Sequence, residues 1–248
     1  MNIPVAMLHH ISDEQHNSLL NVSITSAKFT AFLNTIEEKG LESTTFEEIS
    51  NSAHENPLKN KIVLTFDDCP SSLFDFVIPE LIKRKMKAVF FIPAAYIGGV
   101  NTWDIIEHEA IAVPLMNPSQ LEELSKHGME IGSHGYTHAN LKKMSCQQAS
   151  EEVVSSKQVL ETLLNKKIIS FAYPYGCIPK GYKKILNNAG FQYGAGIYSS
   201  RQERYALRRF QIHQSDNGKS MRFKLSKRYM LFRSLLDPLL VFRKKIFS

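Results

Sequence analysis

The segment Lys61-Ile62-Val63-Leu64-Thr65-Phe66-Asp67-Asp68 constrains this chain more than any other. Four of its first six residues are apolar, the near-continuous run of a strand buried on both faces, which is the parallel-sheet kind. The run ends in two adjacent carboxylates. Parallel α/β folds place their chemistry at the C-terminal ends of their strands. An isolated Asp-Asp pair is most simply a turn, and here Pro70 ends the strand and Ser71 and Ser72 are placed to cap a following helix. A second segment shifts the balance. Ser133-His134-Gly135-Tyr136-Thr137-His138 follows another buried strand, Met129–Ser133. On a helical turn a spacing of four puts both imidazoles on one side. One carboxylate with two imidazoles is a three-ligand set for a divalent metal that leaves positions for water and substrate.

Strands alternate with helices through the chain. Strands are expected over residues 3–8, 41–45, 61–67, 87–92, 129–133, 168–172, 191–197 and 205–213. Helices are expected over 26–39, 46–49, 72–85, 118–127, 145–165 and 179–189. Residues 95–117 form a long irregular insertion that holds the only tryptophan, Trp103. The alternation implies a parallel sheet, open or closed into a barrel. A chain of 248 residues is long enough for one such domain.

Thr65-Phe66-Asp67-Asp68, then Ser133-His134-Gly135-Tyr136-Thr137-His138, then Phe171-Ala172-Tyr173-Pro174-Tyr175-Gly176 resemble the first three motifs of the polysaccharide deacetylases. These form the NodB-homology group, carbohydrate esterase family four. The likeness runs in order over residues 1–213, with a buried strand before each motif. It implies an α/β fold of the distorted (β/α) barrel type and metal-dependent hydrolysis of an N-acyl group on a sugar. It further implies Asp68, His134 and His138 as ligands of a divalent metal, zinc by default with cobalt, nickel or iron as alternatives. Asp67 is implied as catalytic base, and the backbone N–H of Tyr175 as donor to the oxyanion.

The chain departs from the family pattern in three places. Cys69 follows the two aspartates where the family has Gly. The third motif carries no Arg to hold the base carboxylate, and the expected substitute is Arg209, with Arg208 as the alternative. The late Leu-x-His strand is absent. The first strand instead ends Met7-Leu8-His9-His10, similar to exopolysaccharide-type members whose acid histidine lies on an N-terminal strand. His9 is therefore the expected general acid, with His10 and then His213 behind it. Adjacent strand residues face opposite ways, so only one of the pair can serve.

The net charge of +6 is concentrated at the C-terminus: Lys219–Ser248 holds nine Lys or Arg and the single acid Asp237, so the rest of the chain is slightly acidic. A nucleic-acid partner is therefore not expected. The catalytic domain is expected over 1–218, with a basic amphipathic helical tail over 219–248 in which Pro238 breaks any single helix. The tail either lies on an anionic membrane or packs on the barrel with its cations in water. No secretory signal is legible at Met1–His10, and three cysteines form no Cys-x-x-Cys pair. These features point to a cytoplasmic protein, peripheral on the inner face of the membrane if the tail binds lipid. The leading expectation is an N-deacetylase, or deformylase, acting on an N-acylated sugar of surface polysaccharide or lipid-linked glycan assembly. The alternatives are a non-catalytic carbohydrate-binding relative and a hydrolase of a non-sugar amide.

Overall fold

The computed structural model describes residues 3–246 apart from Gln15, His54, Ser200 and Arg201; the side chains of 107–108 and 241–246 lie outside the description. The expected tail residues Val241, Phe242, Ile246 and Phe247 therefore fall outside it as side chains. In chain order the elements are β1 (Val5–Leu8), β2 (His10–Ile11), β3 (Ser23–Ile24), α1 (Ser26–Glu38), β4 (Glu42–Thr44), α2 (Phe46–Asn51), β5 (Lys61–Asp67) and α3 (Val77–Lys83). There follow β6 (Val89–Ile92), α4 (Thr102–His108), α5 (Pro118–Lys126), β7 (Glu130–Ser133), α6 (Cys146–Leu164), β8 (Ser170–Ala172), α7 (Tyr182–Asn188), β9 (Tyr193–Ala195), β10 (Phe210–Gln211), α8 (Gly218–Lys224) and α9 (Lys227–Ile246).

The main sheet is parallel throughout, in the order β10-β1-β5-β6-β7-β8-β9, with β4 also pairing β5. The segment before β10 touches the other edge as well, because Leu207 bridges to Ala195 beside β9 while Phe210 pairs with Ala6 of β1. The sheet thus curls into a distorted barrel whose seam lies at Arg208 and Arg209. A strand that opens the chain pairs beside the one that ends the barrel, as cyclic order allows.

Period-two alternation sorts the strand residues into two layers. Ile62, Leu64 and Phe66 face the helices, in a core with Phe29, Phe32, Leu33, Phe90 and Ile131. Val5, Val63, Val89, Phe91, Ala172, Tyr193, Ala195 and Leu207 fill the barrel. Gly132 is where this filling is tightest: a Cβ there would lie 2.5 Å from the Phe91 ring and 2.7 Å from Ser170 Oγ. Along the same inward column, Asp67 sits opposite Phe91 and emerges at the C-terminal rim.

Several local expectations are corrected. Thr25 caps α1, its hydroxyl accepting from the Lys28 N–H, and Ser26 is the first helical residue. The expected helix over 72–85 divides into a 3-10 turn, Ser71–Phe74, and the shorter α3; the turn follows Pro70 and has no side-chain cap. Only Phe210–Gln211 of the expected strand 205–213 is laddered, since the chain turns at the seam. The insertion contains α4. Pro238 lies inside α9 without ending it.

The tail packs on the barrel. Met221 and Leu225 join the outer core, and Asp237 is fully buried. Asp237 pairs with Arg233 at 2.5 Å and with Arg208 at 3.1 Å. Arg233 also donates to the carbonyls of Ile197 at 2.6 Å and Arg209 at 3.2 Å, so it spans the seam.

At the other end of β7, Glu130 is buried inside the barrel. Its carboxylate accepts from Ser170 Oγ at 2.5 Å and from the Glu47 N–H at 2.9 Å, at the start of α2. Burial raises the Glu130 carboxyl from the usual 4.5 to about 7 against these hydrogen bonds. The native state therefore holds this proton more tightly than the unfolded chain does. Unfolding free energy should fall as pH rises from about 4.5 to about 7 and level off above, by on the order of 3 kcal/mol for this group. Glu130→Gln, which stays neutral, should flatten that stretch of a urea-denaturation pH series. An unchanged slope would place the dependence on another group.

Candidate active site

The C-terminal rim brings together residues from five parts of the chain. A cavity of about 420 Å³ is lined there by Met7, His9, Asp67, Asp68, Trp103, His134, His138 and Tyr175, among others. A second cavity, of about 300 Å³, lies under α9 between Val5, Arg208 and Tyr229, away from this chemistry.

The two aspartates have different partners. The inward-facing Asp67 is gripped by Arg209, with Nη1 to Oδ1 at 2.6 Å and Nη2 to Oδ2 at 2.7 Å. Such fork-on-fork pairs combine strength with fixed geometry. Arg209 is itself buried, and also donates to Thr65 Oγ1 at 3.1 Å and the Gly196 carbonyl at 3.1 Å. Burial pushes the Asp67 carboxyl up, but Arg209 and His134 outweigh it and hold the group below the usual carboxylate range. Arg208 does not reach Asp67: it donates to the Ser199 carbonyl and pairs with Asp237.

Asp68 turns away from Arg209 on a backbone with φ +63°. Its Oδ1 lies 3.2 Å from His138 Nε2 and 3.5 Å from His134 Nε2, yet is buried without a hydrogen bond. His134 Nδ1 is 2.9 Å from the Ala172 carbonyl. A carbonyl only accepts, so Nδ1 carries the proton and the Nε2 lone pair faces Asp68. Burial, offset in part by Asp67, pushes the His134 imidazole down to about 4. A carboxylate oxygen converging with the lone pair of a neutral imidazole is a donor arrangement that a divalent cation would satisfy. The three candidate donor atoms lie within 4.8 Å of one another, so the residues present fit a divalent metal.

His134 and His138 sit on a loop, not on the helical turn that their spacing suggested. Glu152 of α6 holds that loop, accepting from the Tyr136 and Thr137 N–H groups at 3.1 and 2.9 Å and from Thr137 Oγ1 at 2.8 Å. His138 adopts φ +56° there. Tyr175 lies in the turn Pro174–Gly176 with φ +58°, its ring 4.9 Å from that of His138. Gly176 is required in this turn, where φ is +65° and a Cβ would meet Ile197 at 2.4 Å. Cys69 carries φ +58°, a conformation that favours the Gly it replaces. Its thiol lies 3.4 Å from the Phe66 and Phe91 carbonyls, and burial beside two aspartates keeps it protonated.

His9 lies just past β1 with Nε2 3.9 Å from Asp67 Oδ2, and it lines the cavity. His10 is turned into β2, paired in register with Ser23, and burial pushes its imidazole down to about 4. His213 is exposed beyond β10, its backbone N–H bonded to Asp216.

Trp103, Glu152, Ser18, Asn21 and Gln211 were given no role by the sequence. Trp103 stacks on His138, with ring centroids 4.3 Å apart and planes 26° apart. Its being the only tryptophan, in an insertion between two motif strands, was the available signal. Buried Asn101 pins that insertion, its Oδ1 accepting from the Val113 N–H at 2.7 Å and its Nδ2 donating to the Ile111 carbonyl at 3.2 Å.

The model of one family, described as polysaccharide deacetylase, matches residues 54–194, more than half of the chain. The chain is 26% identical over 222 residues to YxkH of Bacillus subtilis, which carries the name of a polysaccharide deacetylase; the match covers 87% of this chain and 73% of that one. It is 25% identical over 184 residues to the poly-β-1,6-N-acetyl-D-glucosamine N-deacetylase of Staphylococcus epidermidis, covering 70% of this chain but only 61% of that one. Among solved structures, the Streptococcus pyogenes deacetylase PplD superposes with a TM-score of 0.75 at 22% identity, covering 91% of this chain and 99% of that one. IcaB from Ammonifex degensii superposes with a TM-score of 0.72 at 20% identity, covering 91% and 97%. With the fold, the three motifs and the family match in agreement, this chain belongs to the polysaccharide deacetylase family.

Proposed function

We propose that this protein removes the N-acetyl group from an amino sugar of a glycan, with a divalent metal ion held by Asp68, His134 and His138. The observation that carries the reading is the division of the two adjacent aspartates: Arg209 takes both oxygens of Asp67, and Asp68 faces the two imidazoles. A divalent ion supplies the Lewis acidity that an unreactive amide needs, polarising its carbonyl and acidifying water. Mixed oxygen and nitrogen donors suit zinc by default, and also cobalt, nickel or iron.

The other roles follow from position and chemistry. Asp67 accepts the proton of the attacking water, and Arg209 keeps its carboxylate oriented for that transfer. The Tyr175 backbone N–H donates to the oxyanion. His9 Nε2, on the cavity wall beside Asp67, protonates the departing amine. Arg209 and His9 fill the two gaps in the family pattern that would have favoured a non-catalytic binder. The cavity supports a sugar substrate: Trp103, Leu19, Val22 and Ile197 offer apolar surface, and Ser18, Asn21, Asp104 and Gln211 offer hydrogen-bonding groups. The name of the Staphylococcus epidermidis relative makes N-acetylglucosamine polymers the first substrates to try.

Purified protein should hold about one divalent ion per chain by elemental analysis, and the His134→Ala/His138→Ala double variant should hold none. Equal occupancy in both would remove the assignment. Asp67→Asn should keep the ion and lose about 10²–10⁴-fold in acetate release, since it removes the base and no ligand. A thermal melt of that variant separates lost chemistry from lost folding, and near-normal turnover would place the base elsewhere. His9→Ala should keep the ion and lose strongly on amides but far less on an activated ester, whose leaving group needs no proton. An equal loss on both substrates would make His9 structural.

A further inference from the structure

We propose that the outward face of α9 is a docking surface for an anionic lipid membrane. The helix is oriented against the usual rule that an amphipathic helix turns its apolar side to the core. Its inward side carries Tyr229, Arg233 and Asp237, and the last two are tied to the barrel seam. At 100° per residue, Leu231, Leu235 and Leu239 form one stripe on the opposite side. They are 65%, 68% and 65% exposed, with Phe232 exposed beside them. A contiguous apolar face of this kind on a folded chain marks a surface that another body covers.

Charge identifies that body. Lys219–Ser248 carries nine cations and one acid, and Arg222 and Lys224 pair with Glu38 and Asp216 of the barrel domain. The acid, Asp237, is spent internally on Arg208 and Arg233, while Lys227 and Arg228 are exposed at the start of α9. A second copy of this chain would set one such basic segment against another. An anionic headgroup layer complements the cations, and the acyl boundary beneath it takes the leucines. No helix among the described residues is long and apolar enough to cross a membrane, so α9 would lie on the surface. This inference stands independently of the reaction proposed for the rim.

The test is flotation of the full chain with vesicles of phosphatidylglycerol mixed with phosphatidylcholine, against vesicles of phosphatidylcholine alone. The chain should float with the anionic vesicles at low salt, weaken as salt screens the contact, and stay behind with the neutral ones. Leu231→Ser/Leu235→Ser/Leu239→Ser replaces only exposed side chains, so its melting temperature should be unchanged while its lipid partitioning falls about tenfold or more. Arg228→Glu offers a second variant that leaves the stripe intact, and it should weaken binding to the anionic vesicles. The proposal is overturned if the unmodified chain stays in the soluble fraction with anionic vesicles. It is overturned equally if the triple serine variant floats as well as the unmodified chain. A lipid-free dimer that the triple serine variant abolishes would assign the face to a second copy.

Discussion

The bidentate pair between Arg209 and Asp67 is the interaction on which the rest of the site depends. Both groups are buried, and removing two charges from water is costly unless geometry and further hydrogen bonds offset it. Here every other donor on Arg209 that reaches a partner meets a barrel oxygen, of Thr65 or Gly196. The pair ties β5 to the segment that closes the barrel, so the carboxylate is positioned only when the sheet has curled. It also separates the roles of two residues adjacent in sequence. Without the guanidinium, Asp67 and Asp68 would be two buried carboxylates competing for the same imidazoles.

A second constraint is backbone strain. Of the non-glycine residues with positive φ among those described, four line this one rim: Asp68, Cys69, His138 and Tyr175. Each costs on the order of 1–3 kcal/mol and persists only where its surroundings over-determine it. The surroundings are visible in each case. The Cys69 N–H bonds to the Asp67 carbonyl at 2.6 Å, Glu152 clamps the loop before His138, and the Pro174–Gly176 turn closes on the Tyr173 and Pro174 carbonyls. The strain aims Asp68, His138 and the Tyr175 turn at one point from three separate loops. Cys69 shows that glycine is preferred rather than obligatory after the second aspartate, provided that the side chain is small and its thiol finds carbonyl partners.

The parts legible in the sequence were those written in local patterns. Buried parallel strands announce themselves as apolar runs, and polar residues just past them mark a rim, so the places of Asp67, Asp68, His134 and His138 were readable. The four-residue histidine spacing was not enough to give the local geometry, because Glu152 draws the loop backbone out of a helical path. Arg209 was readable as the residue to examine, but its grip on Asp67 depends on a seam contact across more than a hundred residues of chain. Glu130, Asp237 and Trp103 carried no local sign of their burial. A carboxylate in a strand and another in a basic tail read as surface groups, and only the folded topology sets them against the α2 terminus and two arginines. Pro238 reads as a helix breaker, yet α9 continues through it, with Asp237 just before it held by Arg233 and Arg208.

The same seam accounts for the orientation of the tail. Where β9 and β10 diverge, the sheet no longer pairs its own backbone, and the carbonyls of Gly196, Ile197 and Arg209 need donors from elsewhere. Arg209 satisfies the first and Arg233 the other two. A guanidinium at that depth needs a counter-charge, and Asp237, one turn further along α9, supplies it while also neutralising Arg208. The helix face that meets the barrel therefore has to be polar. An amphipathic helix has only two faces, so committing the polar one inward leaves Leu231, Leu235 and Leu239 outward. The outward stripe is thus a consequence of how the barrel closes, and the helix that bears it bonds to the carbonyl of the residue that positions Asp67.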